Sequence, residues 1–405
     1  MNRALHASKD TGGGERYLHV AAVLLLTAVY MFSPLVSYVS ALLFLTIFSR
    51  RLSTRVRIAT STIVILSGAS IWASRLVGRS ESDDFAWYYQ TYNPIDTVPW
   101  TEKIPFYEVG LPLLIKIIRI ALPGLTPNGL IFVLTTITGL ILSFCVERFG
   151  LRDFPREKRA YCVAMVFLFF SFVLTTQLTR QMLSSVILAT VLFSLKPAVN
   201  RLSLLLASVF HITAIPVYAV IKIFQGRLLV LWSALVAVVI LVKLVGTVAV
   251  ASLVAGYDVP RVGYYLTSMD TGANQASLVI VVAVALAGLT SLLALKTVNA
   301  QISSQEKRTV VLLVAVLVVY LSTLNFTLGP FRLFLVIHAV LAGWFFAYLT
   351  RRLASPWLTT GGVALIILRA LYLYFPDPAR AFLQWEVYGP FGAFPGYFVF
   401  FYLTS

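Results

Sequence analysis

Charged residues are scarce in this chain, at 12% of 405 positions, about half of the roughly 25% usual in soluble domains. That scarcity excludes a large water-facing surface, and no stretch can form a sizeable water-soluble domain. Acidic residues are scarcer still, 16 against 32 Lys and Arg. Only two cysteines occur, Cys145 and Cys162, which excludes a disulfide framework and a cysteine-based metal spacing. The four histidines form no cluster with Asp or Glu at ligand spacing, so no metal and no other cofactor is expected. Dyad alternation over segments of about 9–11 residues is missing, which excludes a membrane barrel. No repeat is visible at a period of about 20–50 residues, as a solenoid would need.

What is there instead is length without charge. Hydrophobic residues make up 59%, and mean hydropathy is +0.88. Strongly apolar runs occupy 18–33, 58–74, 128–146, 160–176, 182–195, 228–255, 276–295, 309–328, 333–350 and 357–375. A bilayer core needs about 20 apolar residues per helix, and lipid leaves the backbone no other donors or acceptors. The expected fold is therefore all-α: one polytopic integral membrane domain over 1–405, with about 10–14 transmembrane helices, some short, broken or re-entrant. The stretch 17–48 is too long for a signal peptide and is split by Pro34, so it reads as two short helices or a hairpin.

Net charge of +16 does not indicate nucleic acid. In membrane proteins Lys and Arg gather in cytoplasmic loops, and no basic segment here is long or interleaved with aromatics. Loop charge gives a topology. Residues 1–16, 50–57, 149–159 and 297–308 are expected inside, and 78–104, 256–275 and 376–390 outside. Segment 105–122 holds Glu108, Lys116, Arg119, Pro105 and Pro112, with Pro123 just beyond it. Charges at the bilayer centre are costly, so this is read as an interfacial or re-entrant helix, making 78–125 one outer region. The stretch 202–221, interrupted by His211 and Pro216, reads as two half-helices.

That topology collects Arg75, Arg79, Asp83, Asp84, Glu108, Arg180, Arg261, Arg332 and Arg369 at outer helix ends, where the positive-inside bias does not explain arginine. Single members can snorkel or pair with Asp84 or Glu108. As a set they suit a phosphate-bearing ligand, because the guanidinium fork binds phosphate bidentately. Segment 85–107 adds Phe85, Trp87, Tyr88, Tyr89, Tyr92, Trp100, Phe106 and Tyr107, either as an interfacial belt or as faces for sugar rings.

The order Arg75-x8-Asp84-Phe85-x2-Tyr88, Glu108-x-Gly110, Arg180-Gln181, Phe210-His211, Arg261-x2-Tyr264 and Arg332 before a helix resembles the Wzy/EpsG-like family of bacterial polysaccharide polymerases over roughly residues 70–350. The family's Gly-x-Asp turn and Glu-Pro-Gly stretch read here as Glu81-Ser82-Asp83-Asp84 and Glu108-Val109-Gly110, so Asp83 and Asp84 both stand as the aligned acid. The resemblance implies a glycosyltransferase-C-like membrane enzyme of the bacterial inner membrane, its site facing the periplasm. It would join repeat units carried on undecaprenyl diphosphate, without metal, with a chain-length-regulating co-polymerase as a candidate partner. Asp84 or Glu108 would be the general base. Arg75, Arg180, Arg261 and Arg332 would hold the diphosphates, and Tyr88, Gln181 and Tyr264 the sugars. His211 is either a hydrogen-bonded buried histidine, a proton carrier or a sugar contact. Three other readings fit parts of the pattern: a flippase or transporter of lipid-linked oligosaccharide, an O-antigen ligase, and an O-acyltransferase using His211 or His338.

Overall fold

A computed structural model describes residues 11–73, 85, 88–89, 92, 108–194, 196–225, 279–289, 293, 301, 303–322 and 334–374. Among the described residues the regular structure is helical, with no strand.

Proline and hydroxyl side chains set the helix starts. α1 (Thr11–Phe32) and α2 (Pro34–Ile47) part at Ser33, which is extended with φ −150°. The Ser33 hydroxyl accepts from the Val36 N–H at 3.3 Å, and Pro34 occupies the first turn, where its missing N–H costs nothing. Ser37 donates its hydroxyl to the Leu26 carbonyl at 3.1 Å. Along a straight helix those residues would lie roughly 16 Å apart, so the chain folds back into the expected hairpin. Thr126 and Pro127 start α5 in the same way, with the Thr126 hydroxyl accepting from the Gly129 N–H at 3.0 Å.

α3 (Thr54–Ala73) and α5 (Pro127–Cys145), the latter extended by a π-helical turn at Val146–Gly150, pack antiparallel. Their register runs from the Arg57–Glu147 ion pair, through Ser61–Ser143 at 3.4 Å and Ile65 over Gly139, to the Asn128 amide donating to the Ala73 carbonyl. A Cβ at residue 139 would lie 2.7 Å from the Ile65 side chain, so glycine sets the spacing there. Thr54–Ala73 and Pro127–Gly150 are the two described helices long and apolar enough to cross a membrane; shorter apolar helices include α2 and Val279–Leu289.

The apolar run 160–176 is not one helix. It divides into α6 (Arg159–Phe169) and α7 (Phe172–Gln177), with Phe170 extended. The Ser171 N–H, freed by the break, donates to the Ala339 carbonyl at 2.9 Å. Ala339 lies in a second π-helical turn, Val336–Leu341, ahead of α12 (Ala342–Thr350). A π turn displaces carbonyls from the regular ladder, and this one is taken up by the neighbouring break. Gly343 allows the approach, because a Cβ there would overlap the Met165 carbonyl of α6.

α8 (Thr179–Phe193) and α9 (Pro197–Phe210) form a hairpin joined by a Thr190–Ser203 hydroxyl contact. α9 stops at His211, extended at φ −157°, and α10 (Ala214–Gln225) follows, so the stretch 202–221 is two helices as expected. Two further long helices are α11 (Ser304–Ser322) and α13 (Ser355–Tyr374).

The arginine-rich segments meet at one end of the bundle. Arg50 donates to the Ser355 hydroxyl at 3.0 Å, and Lys158 donates to the Arg351 and Leu353 carbonyls. Glu306 Oε1 pairs with Arg351 at 2.9 Å and Arg352 at 3.0 Å. Its Oε2 accepts from the Ser303 N–H while the Ser303 hydroxyl accepts from the Glu306 N–H, a reciprocal cap that starts α11. Away from the ends, Leu24, Leu25, Phe144, Leu205 and Leu368 are exposed, which suits contact with lipid chains rather than water.

Candidate functional site

The opposite end carries a smaller apolar core of its own. Phe85, Tyr88 and Tyr92 pack with Leu111, Ile115 and Ile118 of α4 (Gly110–Ala121), Leu130 and Leu134 of α5, and Leu183 of α8. α4 has 12 residues, about 18 Å of helix, too short to span roughly 30 Å of hydrocarbon. One face, Leu111, Ile115 and Ile118, is buried; Lys116 and Arg119 are exposed.

Glycine brings α4 onto α9. At Gly110 a Cβ would lie 3.0 Å from the Val209 carbonyl and 3.1 Å from the Phe210 ring. This approach carries Glu108, two residues earlier, to the break after α9. There Glu108 Oε1 accepts from the Ile212 N–H at 3.0 Å and lies 3.2 Å from His211 Nδ1. Ile212 lies two residues before α10, so the carboxylate satisfies a backbone N–H in the break that leads into that helix.

Glu108 Oε2 meets Arg180 Nη1 in a short ion pair. Arg180 is the second residue of α8, reached through the α7–α8 break at Leu178. Its Nε donates to the Tyr88 hydroxyl at 2.9 Å, and its guanidinium lies 5.6 Å from the Tyr88 ring centre. Two directional bonds fix the plane of the guanidinium. Glu108 is 3% exposed and Arg180 9%. Gln181 follows, buried, and its Oε1 finds no hydrogen-bond donor among the described residues. An amide in that position suits a ligand hydroxyl.

His211 is bound up in the same corner. The Thr213 N–H donates to Nδ1 at 3.2 Å, and the Thr213 hydroxyl lies at 3.2 Å as well. Nδ1 cannot accept from Thr213 and donate to Glu108 at the same time, so the position of one proton decides which contact holds. In either state Nδ1 is occupied by the protein, and a proton exchanged with a ligand would have to pass through Nε2.

The structure therefore unites Tyr88, Glu108, Arg180, Gln181 and His211. Asp84, Arg75, Arg261, Tyr264 and Arg332 lie outside the described residues. His338 is buried within the π turn Val336–Leu341. The sequence reading missed the Ile212 and Thr213 N–H groups. A signal for them existed: Thr213 before Ala214, with Pro216 in the first turn, marks a helix start. No group of three or more His, Cys, Asp or Glu side chains placed to hold a metal occurs among the described residues.

No curated protein matches this chain, and no solved structure does. The model of the EpsG family matches residues 58–329. That span takes in the α3–α5 pair, α4 with its glycine, the Arg180 turn and the His211 break. With its apolar helices it marks the chain as a helical membrane protein, and the chain belongs to the EpsG family.

Proposed function

We propose that the protein is a multi-pass glycosyltransferase that polymerises oligosaccharide repeat units carried on a polyprenyl diphosphate, undecaprenyl diphosphate in bacteria, at the outer face of the cytoplasmic membrane. Family membership points to polysaccharide polymerisation. The observation that carries the chemical reading is the held arginine. Arg180 is buried, charged and fixed in plane by Glu108 and Tyr88, as a preorganised donor to a diphosphate must be.

In the reaction an acceptor hydroxyl attacks the anomeric carbon of the donor sugar. The new glycosidic C–O bond forms as the bond to the diphosphate oxygen breaks. The hydroxyl proton passes to a carboxylate, and the polyprenyl diphosphate leaves with the bonding pair. Arg180 meets the negative charge growing on that leaving group. Arg75, Arg261 and Arg332 are proposed to share the task, and Tyr88, Gln181 and Tyr264 to contact sugar.

The two acids are given different roles. Both Glu108 oxygens are engaged, Oε2 by Arg180 and Oε1 by the Ile212 N–H, which leaves the carboxylate poorly placed to take a hydroxyl proton. Glu108 is therefore a positioning residue that holds Arg180, and Asp84 is the proposed base. His211 is likewise assigned to positioning, because Nδ1 caps the Thr213 N–H.

A deletion strain tests the activity. Its glycan should keep a single repeat unit and lose the longer ladder, and the wild-type chain should restore the ladder. Loss of every repeat on the acceptor would instead indicate a ligase or a flippase. In purified form, Asp84→Asn should abolish chain growth while leaving lipid-diphosphate binding near normal. His211→Asn, whose amide can still cap Thr213, should retain most activity. A hundredfold loss in that variant would reassign His211 to proton transfer.

A further inference from the structure

Exposed apolar side chains adjoin the polar cluster in sequence. Val109 follows Glu108 and Ile212 follows His211 in sequence; both are exposed, Val109 at 36% and Ile212 at 40%. From Val109 the exposed stripe continues along α4 through Leu113 (57%) and Ile117. These lie at the four-residue spacing that puts side chains on one helix face, opposite the buried Leu111, Ile115 and Ile118. From Ile212 it continues to Ile215 at the start of α10. Two short exposed apolar tracks thus start next in sequence to Glu108 and His211, one along α4 and one leading into α10.

Exposed cations lie on the same helix. Lys116 and Arg119 of α4 are exposed beside the apolar stripe and off the protein-facing side. A helix with one face on protein, one apolar face outward and cations along an edge suits the plane where hydrocarbon gives way to phosphate. Other exposed apolar residues, such as Leu140 on α5, are ordinary lipid contacts. The pair of tracks differs because it begins beside the held arginine.

We infer that the tracks Val109–Leu113–Ile117 and Ile212–Ile215 seat the polyprenyl tail of the lipid-linked substrate, which enters sideways from the bilayer with its diphosphate toward Arg180. The inference rests on the polymerase reading for the identity of the lipid, and the geometry supplies the seat. A diphosphate at Arg180 must be joined to a chain that leaves along apolar side chains, and these two tracks start at the residues that follow Glu108 and His211 in sequence. Tail length becomes part of substrate recognition, because each buried side chain adds to affinity for a long chain and far less for a short one.

The test compares tail lengths. Purified protein is given polyprenyl diphosphates of full length and of two isoprene units, with binding measured directly, and repeat-unit donors on the same two tails, with chain growth measured. The variant is Leu113→Ser with Ile212→Ser, both exposed positions; Leu140→Ser is the control for general loss of a lipid contact. The double variant should weaken binding of the long-tailed diphosphate on the order of tenfold, from the burial of two such side chains, and weaken short-tailed binding far less. The control should change neither. Equal binding of the two tail lengths by the wild-type protein would overturn the seat, as would a double variant that weakens both tails alike or neither. Tail discrimination that depends on Leu113 and Ile212, found in a protein with no chain growth on any donor, would keep the seat and remove the polymerase reading.

Discussion

Arg57 and Arg180 are both buried arginines paired with a glutamate, one at each end of the bundle, and they are built differently. Arg57 meets Glu147 in a parallel fork, Nε to Oε1 and Nη2 to Oε2, each at 2.6 Å. Both partners sit on the long antiparallel helices α3 and α5 with its π turn. Arg180 spends its bonds on two different elements, Glu108 before α4 and Tyr88, and stands at a helix break beside a buried amide oxygen. The first pair completes itself. The second belongs to a corner made from the start of α4, at Glu108, and two helix breaks, at Leu178 and His211. Self-complementary pairing is what a strut needs. A divided pairing fixes one group in space while its surroundings stay polar.

The strongest challenge to this contrast comes from double replacement. Removing one partner of a buried ion pair costs about 3–5 kcal/mol, whereas an apolar pair of similar size is often neutral. Glu147→Leu alone should lower thermal stability in detergent by about that amount, and Arg57→Met with Glu147→Leu should recover most of it. At the other end Arg180→Met with Glu108→Leu should also recover a folded protein, yet show no chain growth. Restored polymerisation in that second pair would erase the distinction between the ends.

A smaller effect is expected when charge is kept and shape is lost. Arg180→Lys and Arg332→Lys should reach the membrane in normal amount and lose polymerisation roughly ten- to hundredfold, equivalent to one charge-assisted bond of about 1.5–3 kcal/mol. Arg57→Lys should cost stability and leave the activity of the surviving protein unchanged. Activity assays normalised to folded protein would expose a reversed pattern.

Smaller again is the effect at Gly110. A Cβ there needs the α9 end to shift by a few tenths of an ångström, which would loosen Glu108 from the Ile212 N–H. Gly110→Ala should reduce chain growth several-fold with little change in the unfolding midpoint. At the bottom of the scale, excess EDTA should leave purified wild-type activity unchanged, since arginine is proposed to do what a divalent ion otherwise does at a diphosphate. Loss of activity restored by Mg²⁺ would break the arginine-based account.

Local chemistry was legible in the sequence, and contact between distant segments was not. Pro34, Pro127 and Pro197 mark real helix starts, and the His211 break was readable from His211 and Pro216. Arg180-Gln181 stood out because charge between two apolar runs is costly. The division of α6 from α7 had no such mark. Phe169-Phe170-Ser171-Phe172 contains neither proline nor glycine, and the Ser171 N–H at the break is satisfied by the distant Ala339 carbonyl. The bond of Glu306 to Arg351 and Arg352 was equally hidden, because each residue alone looks like an ordinary loop charge. Within the site, Glu108 was visible as an acid, but its saturation by Arg180 and Ile212 depends on Gly110 and a backbone N–H.

The Ser171–Ala339 bond also has a bearing on biogenesis. A translating ribosome delivers Ser171 well before its acceptor, and at about 5–20 residues per second the wait is roughly ten to thirty seconds. Through that interval the amide at the α6–α7 break has no protein carbonyl from the later π turn. Hydrocarbon offers no substitute donor or acceptor, so the nascent hairpin should linger beside the insertion machinery, or near water, until the later segment arrives. A chain cut short before Ala339 would present that exposed amide permanently, which is the kind of defect membrane quality control can read.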